Sequence, residues 1–170
     1  MATVLTMTDR VDPLGNHFVD VHLYALGALV YAERAGEILL LRRAGGVLSG
    51  QWYLPGGTVE AGERPEDGAL RELQEESGLV PVGPLQLVGV YPVWQYGREW
   101  IHVSYRCEVE GEVVVSDEHH EAMWIDPGDM RSTITDEFIA DLAAGNEKVA
   151  KLVGEIRDDL DRYLALTAPR

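Results

Sequence analysis

Glu72, Glu75 and Glu76 stand at i, i+3 and i+4, so on a helix all three carboxylates project from one side. Left bare, like charges at those spacings cost an isolated helix about 0.2–0.5 kcal/mol per pair, so a bound cation relieves a repulsion that it also exploits. Ligands that are all oxygen suit a hard ion, Mg²⁺ with Mn²⁺ as the alternative, which keeps waters and is often completed by substrate phosphate oxygens. Arg71, four residues before Glu75, is placed to hold that carboxylate through a charge-assisted hydrogen bond. A Glu-rich helix face is more often plain solvated surface. What shifts the balance is the segment directly upstream, where Gly45, Gly46, Gly50, Pro55, Gly56, Gly57 and Gly62 crowd into a shaped loop whose backbone must approach something closely.

The elements that position these groups follow from pattern. Pro65 fits a first helical position, Glu66 and Asp67 put negative charge in the first turn, Gly78 supplies a stop, and Ala69, Leu70 and Leu73 make the buried stripe. Before the loop, Val19 to Tyr31 and Glu37 to Arg42 read as a β-hairpin turned at Ala35-Gly36. After the helix, Leu85 to Tyr91, Trp100 to Val109, Val113 to Val115 and Ala122 to Ile125 read as strands. The tail returns to helix: Thr135 caps one, Asn146 a second, and Val149, Leu152, Val153, Ile156, Leu160, Tyr163 and Leu164 form a long apolar stripe. Residues 1–17 are expected to be a flexible lead-in, with 18–170 as one α/β domain, a mixed sheet sandwiched between helices, with C-terminal helices from about 135.

Composition narrows the classes. The 170 residues hold enough material for one core, and 46% hydrophobic with 25% charged residues is an ordinary globular balance. With 14 Lys+Arg against 29 Asp+Glu the formal charge is −15, which argues against general nucleic-acid binding and makes bound cations a requirement for any polyphosphate ligand. One cysteine, Cys107, precludes an intrachain disulfide and reads as a buried, inert thiol. The most apolar stretch, Tyr24 to Ala32, is far below the roughly 20 residues of a membrane span, and the first residues lack a secretion pattern, so a cytoplasmic protein with no membrane role is expected. Adjacent His119 and His120 would face opposite ways on a strand and cannot jointly chelate, so they read as turn or surface residues.

Gly57, Glu63, Arg71, Glu72, Glu75, Glu76 and Gly78, with Leu73 and Leu79 at the two aliphatic positions, resemble a complete Nudix box, G-x5-E-x7-R-E-U-x-E-E-x-G-U. A chance match in a chain of this length is on the order of one in ten million, far more specific than a lone glycine motif. Trp52, Leu54, Pro55 and Gly56 also resemble the approach to the box, and the order of strands and helix extends the similarity over roughly 19–130. The resemblance implies a Nudix fold and Mg²⁺-dependent hydrolysis of a nucleoside diphosphate linked to another moiety, with a small nucleotide as substrate. It makes Glu72, Glu75 and Glu76 metal ligands, with the Gly56 carbonyl as a further one, and Gly57, Glu63 and Gly78 structural. Many relatives form homodimers, and the tail helices are the candidate interface.

Within the box Glu75 is the first candidate for general base, with Arg71 supporting it. Family members that use an acid from a later loop make Glu118 second and Glu121 third. Trp52, Trp94, Tyr96 and Trp100 are candidate stacking rings, each with core packing as the commoner role, and Trp94 and Tyr96 are favoured by the turn-like Gln95 to Arg98 segment. Arg42, Arg43 and Arg98 are candidates for phosphate binding. A MutT-like nucleoside triphosphate pyrophosphohydrolase is preferred to an ADP-ribose or nucleotide-sugar pyrophosphatase. A non-catalytic nucleotide sensor is the alternative of another class, opposed by the intact carboxylates, and isomerases sharing the fold come last.

Overall fold

A computed structural model of the chain describes residues 24–45, 49–95, 98–130 and 158–168. The lead-in, the start of the first predicted strand, Tyr96, the helix expected at Thr135 and the tail as far as Ile156 lie outside the described residues, as does the side chain of Trp94.

Among the described residues eight strands form the sheet system: β1 (Ala25–Arg34), β2 (Glu37–Arg43), β3 (Trp52–Tyr53), β4 (Gly56–Thr58), β5 (Val80–Pro81), β6 (Gln86–Gln95), β7 (Arg98–Glu110) and β8 (His119–Ile125). Helix α1 is Pro65–Ser77, and α2 spans 158–167. Ala35 and Gly36 both take positive φ, 53° and 88°, the combination a tight two-residue hairpin turn demands. β1 and β2 then pair only at Glu33↔Ile38 and Arg34↔Glu37 before they part. β1 takes β4 antiparallel, Leu29↔Gly56 to Gly27↔Thr58, and runs parallel to β7 from Ala25↔Trp100 to Glu33↔Glu108. β2 turns to β3 and β8, while β6 and β5 pair with β7.

The glycine segment, expected as loop, thus contains two short strands. Gly56 is why β4 can lie on β1: its φ is 148°, and a Cβ there would collide with the carbonyl oxygen of Ala28. The predicted strand at Val113 to Val115 is not one. Its backbone instead serves the C-terminal end of α1, with Val114 N–H donating to the Ser77 carbonyl at 2.8 Å and Ser116 N–H to the Glu76 carbonyl at 3.1 Å. Those carbonyls have no partner within the helix, and satisfying them is worth more to the chain than a further sheet edge.

Period-two alternation splits the core between the sheet faces. Ala28, Val30, Ala32, Leu39, Leu41, Val103, Tyr105 and Cys107 pack with Ala69 and Leu73 of α1. Leu29, Tyr31, Ile38, Leu40 and Trp100 pack on the other face with Leu160 and Tyr163 of α2. Being covered on both faces explains why Ala28–Ala32 is an unbroken apolar run. Leu160 and Tyr163 of the expected tail stripe therefore pack on the chain's own sheet. Among the described residues no helix is long and apolar enough to cross a membrane.

Candidate active site

Helix α1 begins as expected, with proline in its first turn and Glu66 and Asp67 behind it, although Arg64 provides no side-chain cap. It ends at Gly78, whose φ of 71° turns the chain while its N–H donates to the Gln74 carbonyl. Ala69 and Leu73 anchor one side to the sheet, and the box carboxylates project from the remainder.

Arg71 is the hub of the box. Its guanidinium donates to Glu63 at 3.1 and 3.2 Å, to Glu72 at 2.9 Å, to Glu75 at 3.1 Å and to the Thr58 carbonyl at 2.9 Å. These acceptors hold its charge more firmly than in water, with Glu63 the largest cause. Glu63 in turn accepts the Glu60 N–H at 2.9 Å, and its carboxyl is held below the usual range by Arg71 first and that amide second. One guanidinium thereby ties the turn before α1, strand β4 and two box carboxylates together.

Glycine makes the approach of β4 to the helix possible. A Cβ on Gly57 would stand 2.5 Å from Glu72 Oε1, so the carboxylate lies where any other residue's side chain would be. The Gly56 N–H donates to Glu76 Oε2 at 2.7 Å, fixing the second carboxylate beside the first. Glu76 is only 4% exposed, and its carboxyl is pushed up to about 8, by burial first, with the charges of Glu72 and Glu118 adding to it against the Gly56 hydrogen bond and Arg43. Glu72 is raised as well, by burial first and against Arg71, with Glu75 and Glu118 contributing.

A cavity of about 460 Å³ opens at this point, lined on the α1 side by Glu72, Glu76, Arg71, Arg43, Gly56, Gly57 and Glu118. Glu118 arrives there because the 113–116 backbone is bonded to the end of α1 and the Glu118 carbonyl accepts the Ala44 N–H at 2.8 Å. Arg43 is aimed inward by a β-bulge, the register shift between Arg42 and Arg43 against β8. Its buried Nε meets no acceptor among the described residues. Arg42 points elsewhere, donating to the Gly50 carbonyl and to Glu121, both at 3.1 Å. Glu75 is outside the lining, with 61% of its side chain exposed and its carboxylate on Arg71.

Thr58 and Glu60 line it as well, and the other lining residues, Leu29, Tyr53, Trp100, His102 and Gly27, belong to the sheet face opposite α1. Arg98 is over the Trp100 ring, 5.9 Å from its centroid, and Trp52 packs against the core. His119, expected at the surface, is buried at the start of β8, 3.6 Å from Glu76 Oε1. Its pKa is lowered by burial first and Arg43 second, so that contact is not an ion pair. His120 is exposed, and Cys107 is the buried thiol expected, pushed up to about 11 by burial.

Oxygen donors crowded by like charge fit a hard divalent cation. Among the described residues no three acidic, histidine or cysteine side chains are gathered as an ion would hold them. Arg71 engages one oxygen each of Glu72 and Glu75, and the Gly56 amide one oxygen of Glu76, which leaves the second oxygen of Glu72 and of Glu75 for an ion while Arg71 stays in place.

Sequence reasoning missed His102, Tyr53 and Gly27. The alternation of Trp100, His102 and Ser104 along β7 carried a signal for His102, since a polar residue repeated among core positions of one strand face needs a reason.

Comparison with known proteins agrees with this fold and box. The sequence pattern of the NUDIX domain matches residues 21–148. A MutT-like protein of Streptomyces ambofaciens is 32% identical over 119 residues, covering 69% of this chain and 73% of its own. An ADP-ribose pyrophosphatase of Methanocaldococcus jannaschii is 36% identical over 97 residues, 55% of this chain and 57% of that protein. The crystal structure of a MutT NUDIX hydrolase from Burkholderia pseudomallei superposes with a TM-score of 0.61 at 27% identity, covering 74% of this chain and all of that one. A mixed sheet between helices carrying a filled box defines a class, and the chain belongs to the Nudix hydrolase family.

Proposed function

We propose that the chain is a Mg²⁺-dependent pyrophosphohydrolase of nucleoside diphosphate derivatives, with a nucleoside triphosphate, as for a MutT-like enzyme, as the preferred substrate. The observation that carries this reading is that Glu72, Glu76, Glu118 and Arg43 line one cavity. Glu72, Glu75 and Glu76, with the Gly56 carbonyl, would hold the ion. When bound, it offsets charge on the phosphate oxygens and lowers the pKa of an attacking water.

The chain's own groups do the rest. Arg43 donates to a phosphate oxygen through the guanidinium nitrogen that lacks an acceptor among the described residues, and Arg71 keeps the box carboxylates in register. Water attacks phosphorus, the P–O bond of the anhydride breaks, and the water's proton passes to a carboxylate. Glu118 is preferred to Glu75 for that proton because it lines the cavity, whereas Glu75 is exposed beside Arg71.

The test is Mg²⁺-dependent turnover across nucleoside triphosphates, damaged nucleotides, ADP-ribose, nucleotide sugars and dinucleoside polyphosphates, with Glu118→Gln and Glu75→Gln variants. Near-wild-type rates in both variants remove the assignment of the base. A second reading, ADP-ribose hydrolysis, is favoured by the Methanocaldococcus relative and is decided by the same screen. Binding without turnover of any compound would favour a sensor.

A further inference from the structure

The cavity is asymmetric. Its cations act on the acidic side: Arg71 is bonded to Glu63, Glu72 and Glu75, and the charge of Arg43 is felt by Glu76 and His119. The sheet face away from α1 contributes Leu29, Tyr53, Trp100 and His102. His102 is 4% exposed and held edge-on to two rings, Trp100 at 6.1 Å and Tyr91 at 5.8 Å between centroids. Directly across the parallel pair stands Gly27, and a Cβ there would be 2.9 Å from the imidazole Cδ2 and 3.1 Å from Nε2. β1 therefore carries no side chain where the Nε2 edge of the ring comes in.

We infer that His102 is a specificity-determining residue, its imidazole hydrogen-bonding the edge of the substrate's nucleobase on a wall completed by Trp100 and Tyr53. The inference rests on the nucleotide reading proposed above. Burial lowers the pKa of His102 to about 4, so at neutral pH the ring is uncharged; with Nδ1 buried, Nε2 is the nitrogen placed to meet a ligand, as donor or acceptor by tautomer. Aromatic faces with an uncharged polar group suit a flat heterocycle better than a further phosphate, since no cation among the described residues lines the cavity on this wall. A cavity of about 460 Å³ holds a nucleotide laid across both walls, phosphates toward Glu72 and Glu76 and base toward His102.

The test reads the ring itself. In protein labelled at its histidine rings, the His102 signals are assigned by their loss in His102→Phe, and AMP, GMP, CMP, UMP and ribose 5-phosphate are titrated with and without Mg²⁺. At least one nucleotide is expected to move those signals while ribose 5-phosphate does not. His102→Phe is expected to weaken that nucleotide at least tenfold and to flatten the differences among the four bases. His102→Gln, which keeps an uncharged donor and acceptor, recovers part of the discrimination. Signals moved equally by ribose 5-phosphate, or a loss in His102→Phe that is equal for all four nucleotides, overturn the inference. Ring shifts without Mg²⁺-dependent turnover would remove the hydrolase reading and leave the base reader; turnover without ring shifts would do the reverse.

Discussion

Glu76 and Asp159 are carboxylates buried on opposite faces of the sheet, at 4% and 1% exposure, and their surroundings differ in kind. Asp159, on α2, accepts the Ser104 hydroxyl at 2.6 Å and the Tyr31 hydroxyl at 3.0 Å, with Arg162 adding favourable charge. Burial raises its pKa, and these neighbours all work against that rise. Glu76 has one backbone N–H and the field of Arg43 in its favour, and two further carboxylates against it. A buried acid ringed by neutral donors is an anchor: here it ties α2 to β1 and β7, beside the stacked rings of Tyr31 and Tyr163, 4.2 Å apart. A buried acid ringed by other acids is a cost to the fold, and it makes sense only when something positive joins it.

The sharpest way to break this contrast is to neutralise each acid in turn. Glu76→Gln keeps an acceptor for the Gly56 amide and removes a carboxyl whose ionisation is opposed by burial and by Glu72 and Glu118. Its kcat with Mg²⁺ is expected to fall about 10³-fold, in the range of a lost electrostatic stabiliser. Its denaturation midpoint in metal-free buffer should hold or rise, and a fall in stability with activity retained would show Glu76 to be an anchor like Asp159. Asp159→Ala is expected to do the opposite. It leaves the Tyr31 and Ser104 hydroxyls buried without their acceptor, costing about 3 kcal/mol in chemical denaturation. Its kcat, measured well below the unfolding transition, should stay within tenfold of wild type, and a greater loss would mean that the α2 face takes part in the chemistry.

His102 sharpens the contrast through pH, because its neighbours are rings. Burial lowers its folded pKa to about 4 from an ordinary 6.5, so between those values the unfolded chain binds the proton and the native chain does not. The stability of wild type relative to His102→Phe is therefore full above pH 6.5 and is lost as pH falls toward 4, by up to about 3 kcal/mol. Denaturant midpoints of the two proteins measured from pH 7.5 to 4 check this, and parallel curves would show a solvated imidazole.

These contrasts bear on what was legible beforehand. The box, its helix and its fixed spacing are local: Pro65, Gly78 and the i, i+3, i+4 carboxylates declare themselves within one element. The hairpin declared itself in Ala35-Gly36. The sorting of arginines did not, because Arg42 and Arg43 differ only by a bulge set by β8, some 80 residues away. Nor did the cavity's far wall, since His102 meets Gly27 through a parallel pairing that no local pattern announces. The Val113 to Val115 stretch has a strand's composition and was claimed by the carbonyls at the end of α1, a case of tertiary hydrogen bonding overriding propensity.

That same stretch gives the smallest and most discriminating comparison, between two glycines of left-handed backbone. Gly36 and Gly78 have φ of 88° and 71°, so alanine at either is disfavoured by about 1 kcal/mol. At Gly36 a Cβ meets nothing within 4 Å, whereas at Gly78 it would press on Val114 Cβ at 3.2 Å. Val114 is bonded to Ser77 and leads the backbone that brings Glu118 to the cavity. Gly36→Ala should therefore lose stability alone, and Gly78→Ala should lose a few tenths of a kcal/mol more, together with a two- to fivefold fall in kcat as Glu118 is displaced. Equal kcat in the two variants, at temperatures where both are folded, would mean that Glu118 is placed by its link to Ala44 and not by the end of α1.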